Sequence, residues 1–312
     1  MIYTLTLNPA IDLFIDTKAM QPNVVNRTEN YEIQANGKGV NVSFILKRLG
    51  IENCALGIGG GFTLNYIEEV LNAARIKNEF VHVKAPTRIN VFTHVQDENQ
   101  EYKLVNKGPR ADPEQIEALL TILRGLESTD ILSLSGSFSE GIAPTILVEI
   151  AQIAQERRFK LVLDTSYQEV METLMYHPYL IKPNDHELAS WFGLTTIPKR
   201  DELIELGKTL VTKGAENVLI SLGGEGALFM NHQQVFYGNA AKGTVVNTAG
   251  SGDTMLGTFL GGLITKKGAK ENLRRALAAG SDTAFQSWIT DFKRVPELEK
   301  QIQVKLIEEW GN

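Results

Sequence analysis

The sequence predicts an α/β fold, a three-layer α/β/α sandwich around a parallel sheet with a small β-sheet lid. From Pro113 onward strands and helices alternate at short spacing, the pattern that puts helices on both faces of a parallel sheet. The segments around Asp12, Arg27 to Ala35, Arg88 to Val95 and Gln100 to Asn106 also look extended, yet they fit no such unit. They are expected to form a separate sheet over the crevice. The 312 residues suffice for one large domain with that appendage. Residues 1–312 are therefore expected to be a single domain, with lid segments near 10–35 and 87–106.

Taken in order, Met1 to Leu7 alternates and is rich in Ile, Tyr, Thr and Leu, which marks a strand that Asn8-Pro9 ends. Ala10 to Asp16 is extended. Asn36-Gly37-Lys38-Gly39-Val40-Asn41 is a glycine loop, and Ile45, Leu46 and Leu49 give helical spacing up to Gly50. Ile51 to Ile58 reads as strand and Thr63 to Ala74 as helix. Thr87 to Val95 and Gln100 to Asn106 alternate about the turn Asp97-Glu98-Asn99, a hairpin with one polar face. Period two puts Arg88 and Asn90 on the same side. Helices follow over 113–123, 144–157, 185–191 and 201–213, and strands over 130–135, 160–164, 179–182 and 217–222. Ala227 to Met230 and Gln234 to Tyr237 are short antiparallel runs. Further helices are predicted up to Ile264, from Glu271 to Phe285, and from about Pro296 to Trp310.

Composition narrows the function. A net charge of −6 argues against a nucleic-acid or anionic-membrane surface, while leaving room for a local basic pocket. The single cysteine, Cys54, has no partner for an internal disulfide and lies in an apolar run. The sequence shows no signal-peptide pattern and no apolar stretch long enough to span a bilayer, so a cytoplasmic protein is expected. No glycine cluster forms a Walker A loop or a dinucleotide fingerprint followed by its acidic residue.

The chemistry is expected at Val246-Asn247-Thr248-Ala249-Gly250-Ser251-Gly252-Asp253-Thr254-Met255. Two glycines around one serine allow a tight turn before a helix, whose N–H groups favour an anion. Asp253 sits beside that cradle. A cradle for a moving phosphate next to a carboxylate that takes a hydroxyl proton suits phosphoryl transfer. The same residues also suit an ordinary N-cap. Ser137, Asp164, Lys182-Pro183-Asn184, Gly223 and Gly252-Asp253 all fall at strand ends, where loops of a parallel sheet converge on one crevice. Arg88 is suited to grip a phosphate with two N–H groups.

Together these residues resemble the ribokinase-like (PfkB) carbohydrate kinases. Asn36-Gly37-Lys38-Gly39-Val40-Asn41-Val42 is similar to the N-terminal signature of that family, and Ala249-Gly250-Ser251-Gly252-Asp253-Thr254 to the C-terminal one. Leu5 to Asp12 resembles the sugar-phosphate branch. Ser135-Gly136-Ser137, Lys182-Pro183-Asn184 with Glu187, and Ser221-Leu222-Gly223 with Gly226 follow in the family's order. The resemblance implies that Asp253 is the base and that Ala249, Gly250, Ser251 and Gly252 form the anion hole. Asp12, Gly37, Lys38 and Asn41 would hold sugar hydroxyls. Arg88, with Arg27 and Ser137, would hold the phosphate already on the substrate, and Asn90 shares the side of Arg88. Lys182 and Asn184 would face the phosphates of ATP, Glu187 would position Mg²⁺ through water, and Ser221, Gly223 and Gly226 would line the nucleotide. Asn36, Tyr102, Ser139 and Tyr167 depart from the family's pattern, mostly on the substrate side.

The expected activity is ATP-dependent phosphorylation of a ketohexose phosphate, best fitted by fructose 1-phosphate going to fructose 1,6-bisphosphate. Tagatose-6-phosphate kinase or 6-phosphofructokinase activity is the alternative within the class. A catalytically silent sugar-phosphate sensor is the alternative from another class, and the intact Asp253 and Gly-Ser-Gly loop argue against it. A homodimer through the lid is expected, since an edge strand there can pair with a second copy.

Overall fold

A computed structural model of the chain, describing residues 1–310, contains a ten-stranded and a four-stranded sheet. The chain starts with β1 (Ile2–Thr6) in the large sheet, then leaves it for the hairpin β2 (Ala10–Thr17) and β3 (Asn30–Asn36). Helix α1 (Lys38–Arg48) returns to β4 (Asn53–Gly60), and α2 (Gly61–Ala73) leads on to β5 (Lys77–Val83). The hairpin β6 (Arg88–Val95) and β7 (Gln100–Leu104) completes the small sheet in the order β3-β2-β6-β7. Next come α3 (Pro113–Arg124), β8 (Ile131–Ser135), α4 (Ile146–Arg157), β9 (Lys160–Asp164), α5 (Val170–Thr173), β10 (Leu180–Ile181), α6 (Asp185–Trp191), α7 (Arg200–Thr212) and β11 (Asn217–Ser221). The chain closes with β12 (Ala227–Asn231), β13 (Gln234–Gly238), α8 (Ser251–Ile264), α9 (Ala269–Ala284), α10 (Val295–Glu299) and β14 (Val304–Glu309).

Strands β5, β4, β1, β8, β9, β10 and β11 run parallel in that order, and β12, β13 and β14 continue the sheet antiparallel. Alternate residues feed two cores, as strand geometry requires. Leu161 and Leu163 of β9 join Leu147, Ile150, Leu203 and Leu210 on one face. Val162 between them joins Leu46, Phe259 and Leu277 on the other. This is the three-layer sandwich expected from the βαβ pattern.

β1 lies between β4 and β8, so successive connections leave it in opposite directions. A parallel sheet opens a crevice at such a switch point, outside the carboxyl ends of its strands. The loops after β1, β8, β9, β10 and β11 all end on that edge. The small sheet rises beside it, anchored where Ile11, Ala35 and Ile89 pack with Phe44, Leu64 and Ile67 of α1 and α2.

Two segments differ from the expected pattern. The helix predicted from Pro296 to Trp310 stops at Glu299, and Val304–Glu309 is a strand paired antiparallel with β13. Its Glu-rich composition favours helix locally, but the open edge of β13 offers a ladder of hydrogen bonds, and tertiary pairing overrides propensity. Lys77–Val83, given no element in the sequence reading, is edge strand β5. Only Phe80 of it is fully buried, so its hydrophobic signal is weak.

Candidate active site

Helix α8 begins in the crevice because Gly250 caps it at φ 77°, a left-handed conformation that suits glycine. Ten of its residues, Asp253 to Gly262, are buried, while Ser251 and Gly252 at its start are half-buried and line a cleft. The N–H groups of Gly252 and Asp253 lie in the first turn, where no intrahelical acceptor exists. The Ala249 N–H is already bonded to Asn247 Oδ1 (3.0 Å), and the Ser251 N–H to the Thr248 carbonyl (3.2 Å). A Cβ added to Gly252 would meet only Lys182 Nζ, at 3.5 Å, so the cradle opens directly onto an ammonium group.

Asp253 is 6% exposed, and Asn41 Nδ2 donates to its Oδ2 at 2.8 Å. Burial pushes its carboxyl up to about 6; the charge of Asp164 adds to that rise, while Lys38, Asn41 and Lys182 oppose it. Beside it, Lys182 Nζ and Lys38 Nζ sit 3.0 and 3.3 Å from Asp164 Oδ1. Burial works to raise Asp164, but the two ammonium groups outweigh it and hold the carboxyl below its ordinary value. Asp164, foremost in its effect, and then Asp253 and Glu187 raise the pKa of Lys38, although burial opposes them. Asp164 Oδ2 is buried without a partner among the described residues. The crevice thus holds two fixed cations, a compensating carboxylate and a second carboxylate able to change charge near neutral pH.

Asn36, Asn41 and Asn90 link Asp12 and Asp253 in one chain of amide hydrogen bonds. Asn36 Nδ2 donates to Asp12 Oδ2 (2.6 Å), and Asn90 Nδ2 to Asp12 Oδ1 (2.8 Å). Asn36 Oδ1 accepts from Asn41 Nδ2 (2.9 Å), which continues to Asp253. Burial raises the Asp12 carboxyl against the pull of Asn90, Arg88 and Asn36. Gly37, at φ 129°, caps α1; a Cβ there would strike Thr6 Cγ2 at 2.8 Å.

Arg88 is anchored by Nη2 on the Asn8 carbonyl (3.0 Å) and Nη1 on the Asn106 carbonyl (3.3 Å), leaving its buried Nε without a partner. Asn8 Nδ2 reaches Ser137 Oγ at 3.2 Å, so Arg88 and Ser137 share one corner. Arg27 does not join them by any hydrogen bond of its side chain: it is exposed in the β2–β3 connection, and its carbonyl accepts from Thr17 Oγ1 (3.4 Å). Two of the departing residues also serve this corner. Ser139 Oγ donates to Asn8 Oδ1 (3.3 Å), and the Tyr167 hydroxyl accepts the Phe138 N–H (3.0 Å) while its ring stacks on Phe138.

On the other side of α8's start, a cleft of about 680 Å³ is lined by Asn184, Ser221, Gly223, Gly226 and Gly252, with Phe285 and Leu277 supplying apolar wall. Asn184 caps α6: its Oδ1 accepts the Glu187 N–H (2.7 Å), and Glu187 Oε2 accepts the Asn184 N–H (2.9 Å). Glu187 is thereby fixed to the cleft-lining Asn184 by one carboxylate oxygen.

The sequence placed Asp164 at a strand end by the crevice but gave it no role, and gave none to Asn8 or Asn36. Asp164 carried a signal, a carboxylate ending a core strand. Asn8 and Asn36 act through contacts with residues 137 and 41, which spacing does not reveal.

The glycine turn before α8, the paired lysines and the chain of buried amides meet in one crevice of this fold. The chain belongs to the PfkB family: the model described as pfkB family carbohydrate kinase matches residues 5–287. It is 44% identical to a D-tagatose-1-phosphate kinase of Bacillus licheniformis, over 97% of this chain and 99% of that one. Identity to a 1-phosphofructokinase of Bacillus subtilis is 34%, with the same coverage. The phosphofructokinase-2 of Escherichia coli, solved in complex with substrates and products, superposes with a TM-score of 0.89 at 25% identity, over 96% of this chain and 98% of that one. The chain is an ATP-dependent sugar-phosphate kinase. Among the described residues, no helix is long and apolar enough to cross a membrane.

Proposed function

We propose that this kinase phosphorylates a ketohexose 1-phosphate at its C6 hydroxyl, with Asp253 as the general base. The observation that carries the proposal is the buried carboxylate of Asp253, pushed up to about 6, beside the open cradle at Gly252. A base with a pKa just below neutral is ionised at working pH yet still basic enough to accept a hydroxyl proton. As the proton passes to Asp253, the sugar oxygen bonds to the γ-phosphorus and the bond to the β–γ bridging oxygen breaks, releasing ADP. Lys182, Lys38 and the free N–H groups of α8 balance the charge on the phosphoryl group. Arg88, through its unpartnered Nε, and Ser137 would hold the phosphate at C1, while Asp12 and Asn41 would accept sugar hydroxyls. Asn184, Ser221, Gly223 and Gly226 would line the nucleotide.

Mg²⁺ would be held between the nucleotide phosphates and Glu187. Such an ion is typically carried on nucleotide phosphates and keeps several of its waters. Glu187, pinned through Oε2, would meet such a water with its other oxygen. Bound there, the ion would screen the charge between the phosphates.

Fructose 1-phosphate and its C4 epimer tagatose 1-phosphate are the two candidate substrates, since relatives named for each span nearly the whole chain. A screen of ADP release against both, against fructose 6-phosphate and tagatose 6-phosphate, and against free sugars tests the proposal. Turnover of a 1-phosphate well above the rest is expected; turnover of only 6-phosphates or free sugars overturns it, and no turnover at all favours a sensor.

We also infer a homodimer through the small sheet. Its register puts Leu13, Ile33, Val91 and Leu104 on one face with Ile15, Tyr31 and Tyr102, opposite the face of Asp12 and Asn90. Tyr31, Ile33, Tyr102 and Leu104 are 70, 44, 41 and 62% exposed. Sedimentation should give a dimer that Ile33→Asp dissociates; a monomeric wild type refutes this.

A further inference from the structure

We propose that Asn36 sets which ketohexose 1-phosphate is accepted, by locking Asp12 and Asn41 as a pair of acceptors for neighbouring hydroxyls on one face of the sugar ring. The inference rests on the reading of the chain as a ketohexose 1-phosphate kinase.

Hydrogen-bonding chemistry fixes every amide in the chain. The Gly37 N–H, 2.6 Å away, requires the oxygen of Asn36 on its side, so Nδ2 faces the Asp12 carboxylate. The atom of Asn41 that faces both Asn36 Oδ1 and Asp253 Oδ2 must then be its Nδ2, and both of its hydrogens are used. Two consequences follow. Asn41, 3% exposed, is left with a buried Oδ1 that has no donor among the described residues. Asp12, 6% exposed, has each oxygen held by one amide N–H, from opposite sides, and keeps acceptor capacity between them. Both groups have acceptor capacity to spare, and among the described residues Asn36 is the one side chain bonded to both.

Neighbouring hydroxyls that are cis on a furanose ring project from the same face and can donate to such a pair together. Trans hydroxyls project from opposite faces, so one points away and leaves a buried acceptor unpaired. The C3 and C4 hydroxyls are cis in tagatose and trans in fructose. The geometry therefore favours the tagatose configuration. A glycine at position 36 would release Asp12 on one side, take the acceptor from Asn41, and open space beside the ring.

Steady-state kinetics on wild type, Asn36→Gly and Asn36→Ser, with tagatose 1-phosphate and fructose 1-phosphate, test this. Serine retains an acceptor near the Gly37 N–H, guarding the turn should the glycine variant fail to fold. Wild type should prefer tagatose 1-phosphate by at least about tenfold in kcat/KM, about 1.4 kcal/mol. Either variant should bring the two isomers within about threefold, chiefly through KM of the tagatose isomer, with KM for ATP little changed. A wild type that prefers fructose 1-phosphate overturns the proposal. So does a variant that slows both isomers alike and keeps their ratio, because that is the behaviour of a merely loosened fold. Turnover of 6-phosphates alone fails the functional reading first, and this inference with it.

Discussion

Replacing Asp253 with asparagine should remove activity and raise stability at neutral pH. The carboxyl is buried and its pKa stands near 6, against an ordinary 3.8. Asparagine keeps the size, and its oxygen can still accept from Asn41 Nδ2. Losing a general base costs about 10²–10⁴-fold in kcat. In wild type, about nine-tenths of Asp253 is ionised at pH 7 and about one-tenth at pH 5, so kcat/KM should fall about tenfold per pH unit below 6. The residual activity of Asp253→Asn should lack that limb. Stability moves the other way. Because the folded pKa is raised, the folded state binds more protons than the unfolded chain between 3.8 and 6, and Asp253 makes the fold less stable as pH rises through that window. Above it the deficit is about 3 kcal/mol. Thermal melts should therefore show Asp253→Asn above wild type at pH 7 and level with it near pH 3.5. Turnover within a few-fold of wild type, or a variant that melts lower at pH 7, refutes the reasoning.

Arg88→Ala should raise KM for the sugar phosphate by about ten- to a hundredfold, since each charge-assisted bond contributes about 1.5–3 kcal/mol, and leave KM for ATP nearly unchanged. Arg88→Lys should rescue it in part; an unchanged sugar-phosphate KM in Arg88→Ala removes Arg88 from the phosphate corner. Lys38→Met should move the acid limb of kcat/KM above 6, because Lys38 is the strongest influence holding Asp253 down; a limb that stays or moves down contradicts that coupling. Hydrogen exchange over 88–104 should slow when sugar phosphate binds, since the small sheet is mostly exposed beyond its anchor. Equal exchange with and without ligand argues against closure.

Those parts of the site whose chemistry is local were legible from the residues. Gly250, Gly252 and Asp253 carry their turn, cap and carboxylate within four positions. The alternation from Arg88 to Val95 predicted the side on which Asn90 meets Asp12. The long-range partners were not legible. Asn41 meets Asp253 across 212 positions, and Asn8 meets Ser137 across 129. Nothing near Asn36 announces that its side chain ties Asp12 to Asn41. The fold shows the same division. Central strands such as β9 and β11 announce themselves by burial on both faces, whereas edge strands β5 and β14 take their structure from a neighbour's open hydrogen bonds.

The contact between Asn41 and Asp253 also imposes an order on synthesis. At about 5–20 residues per second, Asp253 leaves the ribosome roughly 10–40 s after its partner. Throughout that interval α1 lacks α8, whose Gly257 lies so close to Ile45 that a Cβ would come within 2.8 Å of it. Val42 and Leu46, which share a core with Ile2 and Ile131 of the sheet, lack the cover of Leu256 and Phe259 until then. The nascent chain thus carries a half-built surface for many seconds, and the last fifth of the polypeptide both completes the proposed catalytic centre and ends that exposure.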